Sequence, residues 1–70
     1  MKNIHLKQLR LEKGLNQDAM AKEIGMARST YISKENGRCD FTVGEIKCIA
    51  LRFGLDIKDI NRIFFSDIIP

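Results

Sequence analysis

The sequence predicts an all-α fold, a compact domain of five short helices in a chain of 70 residues. Three observations support this class. Four glycines follow stretches with helical periodicity: Gly14, Gly25, Gly37 and Gly54. Glycine is favoured after a helix C-terminus because it readily adopts positive φ. Residues typical of N-caps precede four of the five predicted helices. No segment alternates apolar and polar side chains as a half-buried strand does, so a sheet has little support.

The first two helices follow from their caps and hydrophobic spacing. Asn3 is the expected N-cap of the first helix, and Asn16 is that of the second. The helical period gives their inward faces, which consist of Leu6 and Leu9, then Met20, Ala21 and Ile24. We expect both helices to pack on one shared core.

The third helix, in the segment RSTYISKENGR from Arg28 to Arg38, has almost no apolar stripe. The helical period groups five residues on one face: Arg28, Ser29, Ile32, Ser33 and Asn36. The opposite face consists of Thr30, Tyr31, Lys34 and Glu35. Only Tyr31 offers an apolar body for packing, so packing explains this helix poorly. A guanidinium and small hydroxyls are instead suited to reading base edges or phosphates.

The last two helices also have start signals. Thr42 and Glu45 have the spacing of a capping box, and Asp56 is the expected cap of the fifth helix. The inward faces consist of Ile46, Ile49, Ala50 and Phe53, then Ile57, Ile60 and Phe64. The tail, residues 63–70, is apolar, and the sequence leaves open whether it closes the core or forms a dimer seam.

Composition and charge limit the class of protein. With 44% hydrophobic and 30% charged residues, the chain has a globular composition and not a disordered one. Its net charge of +3 is compatible with a polyanionic partner. Residues 1–14 carry charge in every turn, so we expect no signal peptide or membrane span and predict a cytoplasmic protein.

The reactive side chains indicate no catalytic or metal site. Cys39, Cys48 and the distant His5 match no usual zinc or redox spacing, so we expect reduced thiols and no cofactor. No serine, cysteine and histidine grouping, acid pair or phosphate-cradling glycine loop has a useful spacing. An enzyme is therefore not expected.

The second and third helices are joined by Gly25 to Ala27, a turn short enough for helix-turn-helix geometry. With the motifs LKQLRLEKGLNQDAMAKEIG, ARSTY and KENGR, the chain resembles the lambda-repressor and Cro-like helix-turn-helix regulators of bacteria and phages, the XRE family. The likeness covers nearly the whole chain. It implies one DNA-binding domain over residues 1–70, with the helix-turn-helix at about 17–36.

The resemblance implies that the third helix enters the major groove and reads bases. The implied base-reading residues are Arg28, Ser29, Ile32 and Ser33. Arg28 suits a bidentate pair with guanine, and Ile32 suits contact with a thymine methyl. The plainer alternatives are a solvated face for the polar residues and a buried position for Ile32.

The resemblance also implies phosphate contacts on either side of the base-reading helix. These residues are Asn16 and Gln17 at the start of the second helix, and Asn36, Gly37 and Arg38 after the third. The alternatives are an ordinary exposed first turn for Gln17 and a simple helix stop for Gly37. Such contacts position the protein on the duplex without specifying a sequence.

Arg10 and Glu35 lie on the inner sides of their helices and match the family's ion pair between the first and third helices. Burying either charge alone would be costly. Three positions depart from the family pattern, and one of them, Asp40, adds a negative charge close to the expected phosphate path. Ala27 stands where Ser or Thr usually caps the third helix, and Lys34 stands where many members carry an apolar residue. Lys34 must lay its stem across the core while its amine reaches out.

The sequence thus predicts a sequence-specific transcriptional regulator, a repressor that binds a palindromic double-stranded DNA operator as a homodimer. The alternative is a protein-interaction module or antitoxin-like partner protein that keeps the helix-turn-helix fold. Its contact surface would be the apolar tail with Ile4, Leu11 and Ile32. The set of polar residues on and beside the third helix favours DNA, because a pure interaction domain does not require it.

Overall fold

The structure, a computed structural model, describes residues 3–65 and consists of five α-helices followed by a π-helical turn. The elements are α1 (Ile4–Glu12), α2 (Gln17–Glu23), α3 (Arg28–Glu35), α4 (Val43–Phe53), α5 (Ile57–Ile60) and the π-turn (Asn61–Phe65). No strand occurs within residues 3–65. The predicted all-α class with five helices is confirmed.

Side-chain caps begin every α-helix except α3. The cap residues are those predicted: Asn3, Asn16, Thr42 and Asp56. Each side chain accepts a hydrogen bond from the backbone N–H three residues ahead. Ala27, at the N-cap of α3, makes no such bond. The orientation of α3 therefore depends on tertiary contacts more than on its own terminus.

The core lies where α1, α2, α3, α4 and the π-turn meet. Its buried apolar residues are Leu6, Leu9, Met20, Ala21, Tyr31, Ile49 and Ile63. The Phe41 ring packs edge-on against Tyr31 and Phe64, at centroid distances of 6.4 and 5.5 Å. The predicted inward residues of α1 are buried, as are Met20 and Ala21 of α2, and Ile24 packs half-buried against them.

The predicted inward position of Ile57 is wrong, because this side chain is 72% exposed. Ile57 is the first helical residue after its cap, and α5 makes one turn before the backbone widens into the π-turn. The inward positions of this segment are instead Ile60 and Phe64, which are half-buried, and Ile63, which is 3% exposed. Ile63 and Phe64 thus belong to the core. Residues 66–70 of the apolar tail lie outside the described residues.

Two surface properties complete the description of residues 3–65. None of their helices is long and apolar enough to cross a bilayer. Cys39 and Cys48 are both free thiols with exposed side chains.

Candidate nucleic-acid interface

The turn between α2 and α3 determines how α3 is presented. Gly25 follows the C-cap Ile24 with φ of 66°, a left-handed conformation that side chains with a Cβ adopt only with strain. The Met26 N–H then donates to the Ala21 carbonyl at 2.9 Å. Ala27 is extended and leads into α3. Since Ile24 and Met26 pack against the core, the turn is anchored from its inner side.

The predicted base-reading residues lie on the outer part of α3. Arg28 and Ser29 are exposed, and Ile32 and Ser33 are half-buried. Thr30, which the helical period grouped with the inner residues, is exposed beside Ser29. Within residues 3–65, the side chains of Arg28 and Ser29 take part in no hydrogen bond or ion pair. Their polar groups are therefore available to an external partner.

The inner side of α3 is held by the buried carboxylate of Glu35, which is 4% exposed. Arg10 donates to it through Nε at 3.0 Å and Nη2 at 3.2 Å. Gln17 Nε2 donates to the same carboxylate at 3.2 Å, and the Tyr31 hydroxyl donates to Oε2. The remaining Arg10 Nη1 donates to the Leu15 carbonyl at 2.9 Å. One carboxylate thus joins α1, α2 and α3.

These contacts determine the charge states at Glu35. Burial by itself would raise the pKa of Glu35, but hydrogen bonds from Arg10, Tyr31 and Gln17 outweigh it and lower that pKa. The hydrogen bond to Glu35 raises the pKa of Arg10. Burial, with the bond to Glu35, raises the pKa of Tyr31. The group therefore contains a cation, an anion and a protonated hydroxyl, which satisfy one another in a poorly solvated place.

The side chains of Asn16 and Gln17, both predicted at the phosphate path, have intramolecular partners. Asn16 Oδ1 accepts from the Ala19 N–H at 2.8 Å, and the half-buried Gln17 donates to Glu35. The backbone N–H groups of Gln17 and Asp18 donate to no acceptor within residues 3–65. Two backbone N–H groups are therefore available to an anion at this helix start. The bond from Gln17 to Glu35 was not predicted, because an amide in a first turn gives no sequence signal for a partner so distant in the chain.

The segment after α3 brings a second exposed cation to the other end of that helix. Asn36 is the half-buried C-cap, and Gly37 has φ of 82°. The Arg38 N–H then donates to the Ser33 carbonyl at 2.9 Å, which folds the chain back against α3. Arg38 itself is exposed. Exposed guanidinium groups therefore stand at both ends of α3, a helix of roughly 12 Å by its rise per residue.

A second ion pair joins the last turn of α3 to the first turn of α4. The Lys34 side chain is only 12% exposed, and its amine contacts Glu45 Oε1. The same amine lies 5.9 Å from the centroid of the Phe41 ring. The hydrogen bond from Lys34 lowers the pKa of Glu45. The amine was expected to reach out from the core, but it pairs with Glu45, a partner that was missed because its capping-box role already explained that residue.

Comparison with protein-family models gives a match to a helix-turn-helix domain over residues 3–62. That span includes all of the residues described at this interface. Comparison with curated proteins and with solved structures gave no match.

Proposed function

The chain belongs to the helix-turn-helix domain family, a family of DNA-binding domains without enzymatic activity, and from this premise we propose that it is a sequence-specific transcriptional repressor of the lambda-repressor and Cro-like kind. The observation that carries this proposal is the contrast between the two sides of α3. Its inner side is fixed through Glu35, while Arg28 and Ser29 are exposed and their side chains have no partner within residues 3–65. A helix held in this way presents polar groups in a constant orientation, as base recognition requires.

In the proposed complex, the N-terminal part of α3 enters the major groove. Arg28 forms a bidentate pair with O6 and N7 of a guanine, and the hydroxyls of Ser29 and Ser33 bond bases or phosphates. The part of Ile32 that remains accessible contacts a thymine methyl. These residues provide the sequence preference.

The phosphate contacts lie at both flanks of α3. On one flank, backbone N–H groups beside Asn16 and Gln17 meet a phosphate at the start of α2. On the other flank, Asn36 and the Gly37 N–H lie along the backbone, and Arg38 supplies the charge. Contacts of this type give affinity that depends on salt and not on sequence.

We further propose that the protein acts as a homodimer on a palindromic operator. Two-fold symmetry would place the two α3 helices about 34 Å apart, one turn of duplex, so that each reads the same half-site.

Selection from random duplexes with the purified chain, followed by anisotropy titrations at several salt concentrations, tests the proposal. We expect a palindrome to be enriched and its affinity to fall steeply as salt rises. Absence of enrichment, with weak binding even at low salt, would contradict it.

A second candidate function has its own supporting observation. Ile4 and Leu11, on the same side of α1, are 61% and 57% exposed. This small apolar surface is what a protein-interaction module or antitoxin-like partner would use. Failure of the DNA selection would make a protein partner the next target.

A further inference from the structure

Lys34 connects α3 to α4 across the loop of residues 36–42, and this loop carries the proposed phosphate contacts that follow α3. We infer that Lys34 is a positioning residue for DNA binding, which through Glu45 holds the two ends of this loop at a fixed separation. The inference rests on the proposed function. It goes beyond that function because it assigns a role in DNA binding to a residue that need not touch DNA.

The start of the loop is bonded to the last turn of α3. The Gly37 N–H donates to the Lys34 carbonyl at 3.2 Å, and the Arg38 N–H donates to the Ser33 carbonyl at 2.9 Å. The backbone of Lys34 therefore holds the near end of the loop.

The far end of the loop is bonded to the first turn of α4. Glu45 Oε1 accepts from the Thr42 N–H at 2.8 Å, and the Glu45 N–H donates to Thr42 Oγ1 at 3.1 Å. The same Oε1 atom also accepts from the Lys34 amine. A single carboxylate oxygen thus joins the helix cap to α3, so the side chain of Lys34 holds the far end of the loop.

Stability alone does not account for this lysine. Removing an ammonium group from water is costly, and an apolar side chain of similar volume is often as stabilising as a buried ion pair. What the ion pair adds is direction, because the amine must meet Glu45 while it lies 5.9 Å from the centroid of the Phe41 ring. Phe41 packs in turn on Tyr31 and Phe64, so the loop is aligned with the core as well as with α4.

A loop with fixed ends presents Arg38 in a restricted set of positions. If the two ends of the loop could move apart, DNA binding would carry the additional entropic cost of ordering the loop on the duplex. Because phosphate contacts carry no sequence preference, the resulting loss should be the same on every DNA sequence.

The substitution Glu45→Gln separates this inference from a simple charge effect. The amide oxygen of glutamine still completes a capping box, whereas the ion pair with Lys34 is lost. The substitution also makes the protein more positive, so net charge alone would tighten DNA binding. We expect instead a roughly 3- to 10-fold weaker affinity, equal on the operator and on its single-base variants.

Lys34→Met provides the reciprocal test, since it keeps the stem and removes the amine. Its matched control is Lys58→Met, which removes the same charge from the exposed face of α5. We expect Lys34→Met to lose clearly more affinity than Lys58→Met at an unchanged or higher unfolding midpoint. Lys34→Arg, which keeps the positive charge, should retain most of the affinity of the unmodified protein for DNA. In the absence of DNA, amide exchange at Thr42, at the far end of the loop, should accelerate in Lys34→Met and not in Lys58→Met.

The outcomes are distinguishable. The inference is overturned if Glu45→Gln binds as tightly as the unmodified protein or more tightly, or if the two methionine variants behave alike in binding and in exchange. If the unmodified protein binds no DNA, the proposed function fails instead. The exchange measurement then still decides whether Lys34 holds the loop.

Discussion

Arg28 and Arg38 carry the same charge at opposite ends of α3, and they are expected to act differently. Arg28→Ala should weaken the free energy of DNA binding by about 1–3 kcal/mol and relax the base preference at one position of the site. Arg38→Ala should weaken binding to all sequences alike and reduce the salt slope by about one unit. Anisotropy titrations on the operator and its single-base variants separate the two effects. Equal losses on every sequence for both variants would contradict this division.

Tyr31 is expected to stabilise the fold through its hydroxyl as well as its ring. Tyr31→Phe keeps the buried ring but removes one hydrogen bond from the Glu35 carboxylate. We expect the free energy of unfolding in urea to fall by about 1–2 kcal/mol, because a bond to a charged group is lost in a buried place. In a Glu35→Gln background the same substitution should cost less. An unchanged urea midpoint for Tyr31→Phe would show that the hydroxyl bond contributes nothing.

Of the three side chains that donate to the Glu35 carboxylate, the sequence indicated only Arg10. Arg10 and Glu35 are conspicuous because each is a charge on an inward face, and the family resemblance paired them. Tyr31 and Gln17 gave no such signal, since a tyrosine on an inward face is explained by its ring and a glutamine in a first turn by solvent. Their hydrogen bonds depend on how three helices meet, which spacing along the chain does not encode.

At the scale of the element, α3 differs from its neighbours in beginning without a side-chain cap. Ala27→Ser should supply an acceptor for a free N–H of the first turn and raise the free energy of unfolding by about 0.5–1 kcal/mol. Asn16→Ala, which removes an existing cap, is the matched control and should lower it by a similar amount. Urea unfolding of both variants provides the measurement. If Ala27→Ser unfolds at or below the midpoint of the unmodified protein, tertiary contacts alone determine how α3 begins.

Elements with local signals were predictable from sequence, and those determined by packing were not. The caps at Thr42 and Asp56 are written within four-residue stretches, so they were found correctly. The π-turn was missed, because no periodic pattern in the sequence marks it. Ile57 was misplaced because its spacing from Ile60 fits an inward helical face, whereas the first residue of this short helix is exposed.

At the scale of the whole molecule, ionised carboxylates link stability to pH. The pKa values of Glu35 and Glu45 are lowered in the folded chain, so the unfolded chain binds protons more readily. The contribution of these two carboxylates to the free energy of unfolding should be complete above pH 4.5, the ordinary pKa of a glutamate. It should be lost as the pH falls through their lower pKa values in the folded chain. Urea midpoints measured between about pH 7 and pH 3 should therefore decrease in acid.

Substitution of each glutamate shows how much it contributes to this loss of stability in acid. Glu45→Gln should weaken it modestly, because Glu45 is only half-buried. Glu35→Gln should be less stable at neutral pH and should lose less stability on acidification than the unmodified protein. A urea midpoint that stays constant down to pH 3 would contradict the prediction.

The position of Arg10 outside the helix-turn-helix has a consequence for protein engineering. A segment of residues 17–36 grafted onto another scaffold would bring the Glu35 carboxylate without its guanidinium, leaving an unpaired charge at the graft boundary. Residues 17–36 should therefore be transferred to another scaffold only together with α1. In the part of the chain that the structure describes, the side chains of Arg28 and Ser29 make no hydrogen bond or ion pair, so both can be exchanged without breaking an internal contact. Under the proposed function, a change of DNA preference therefore requires only side-chain exchanges on α3, whereas moving the motif to another scaffold requires moving α1 with it.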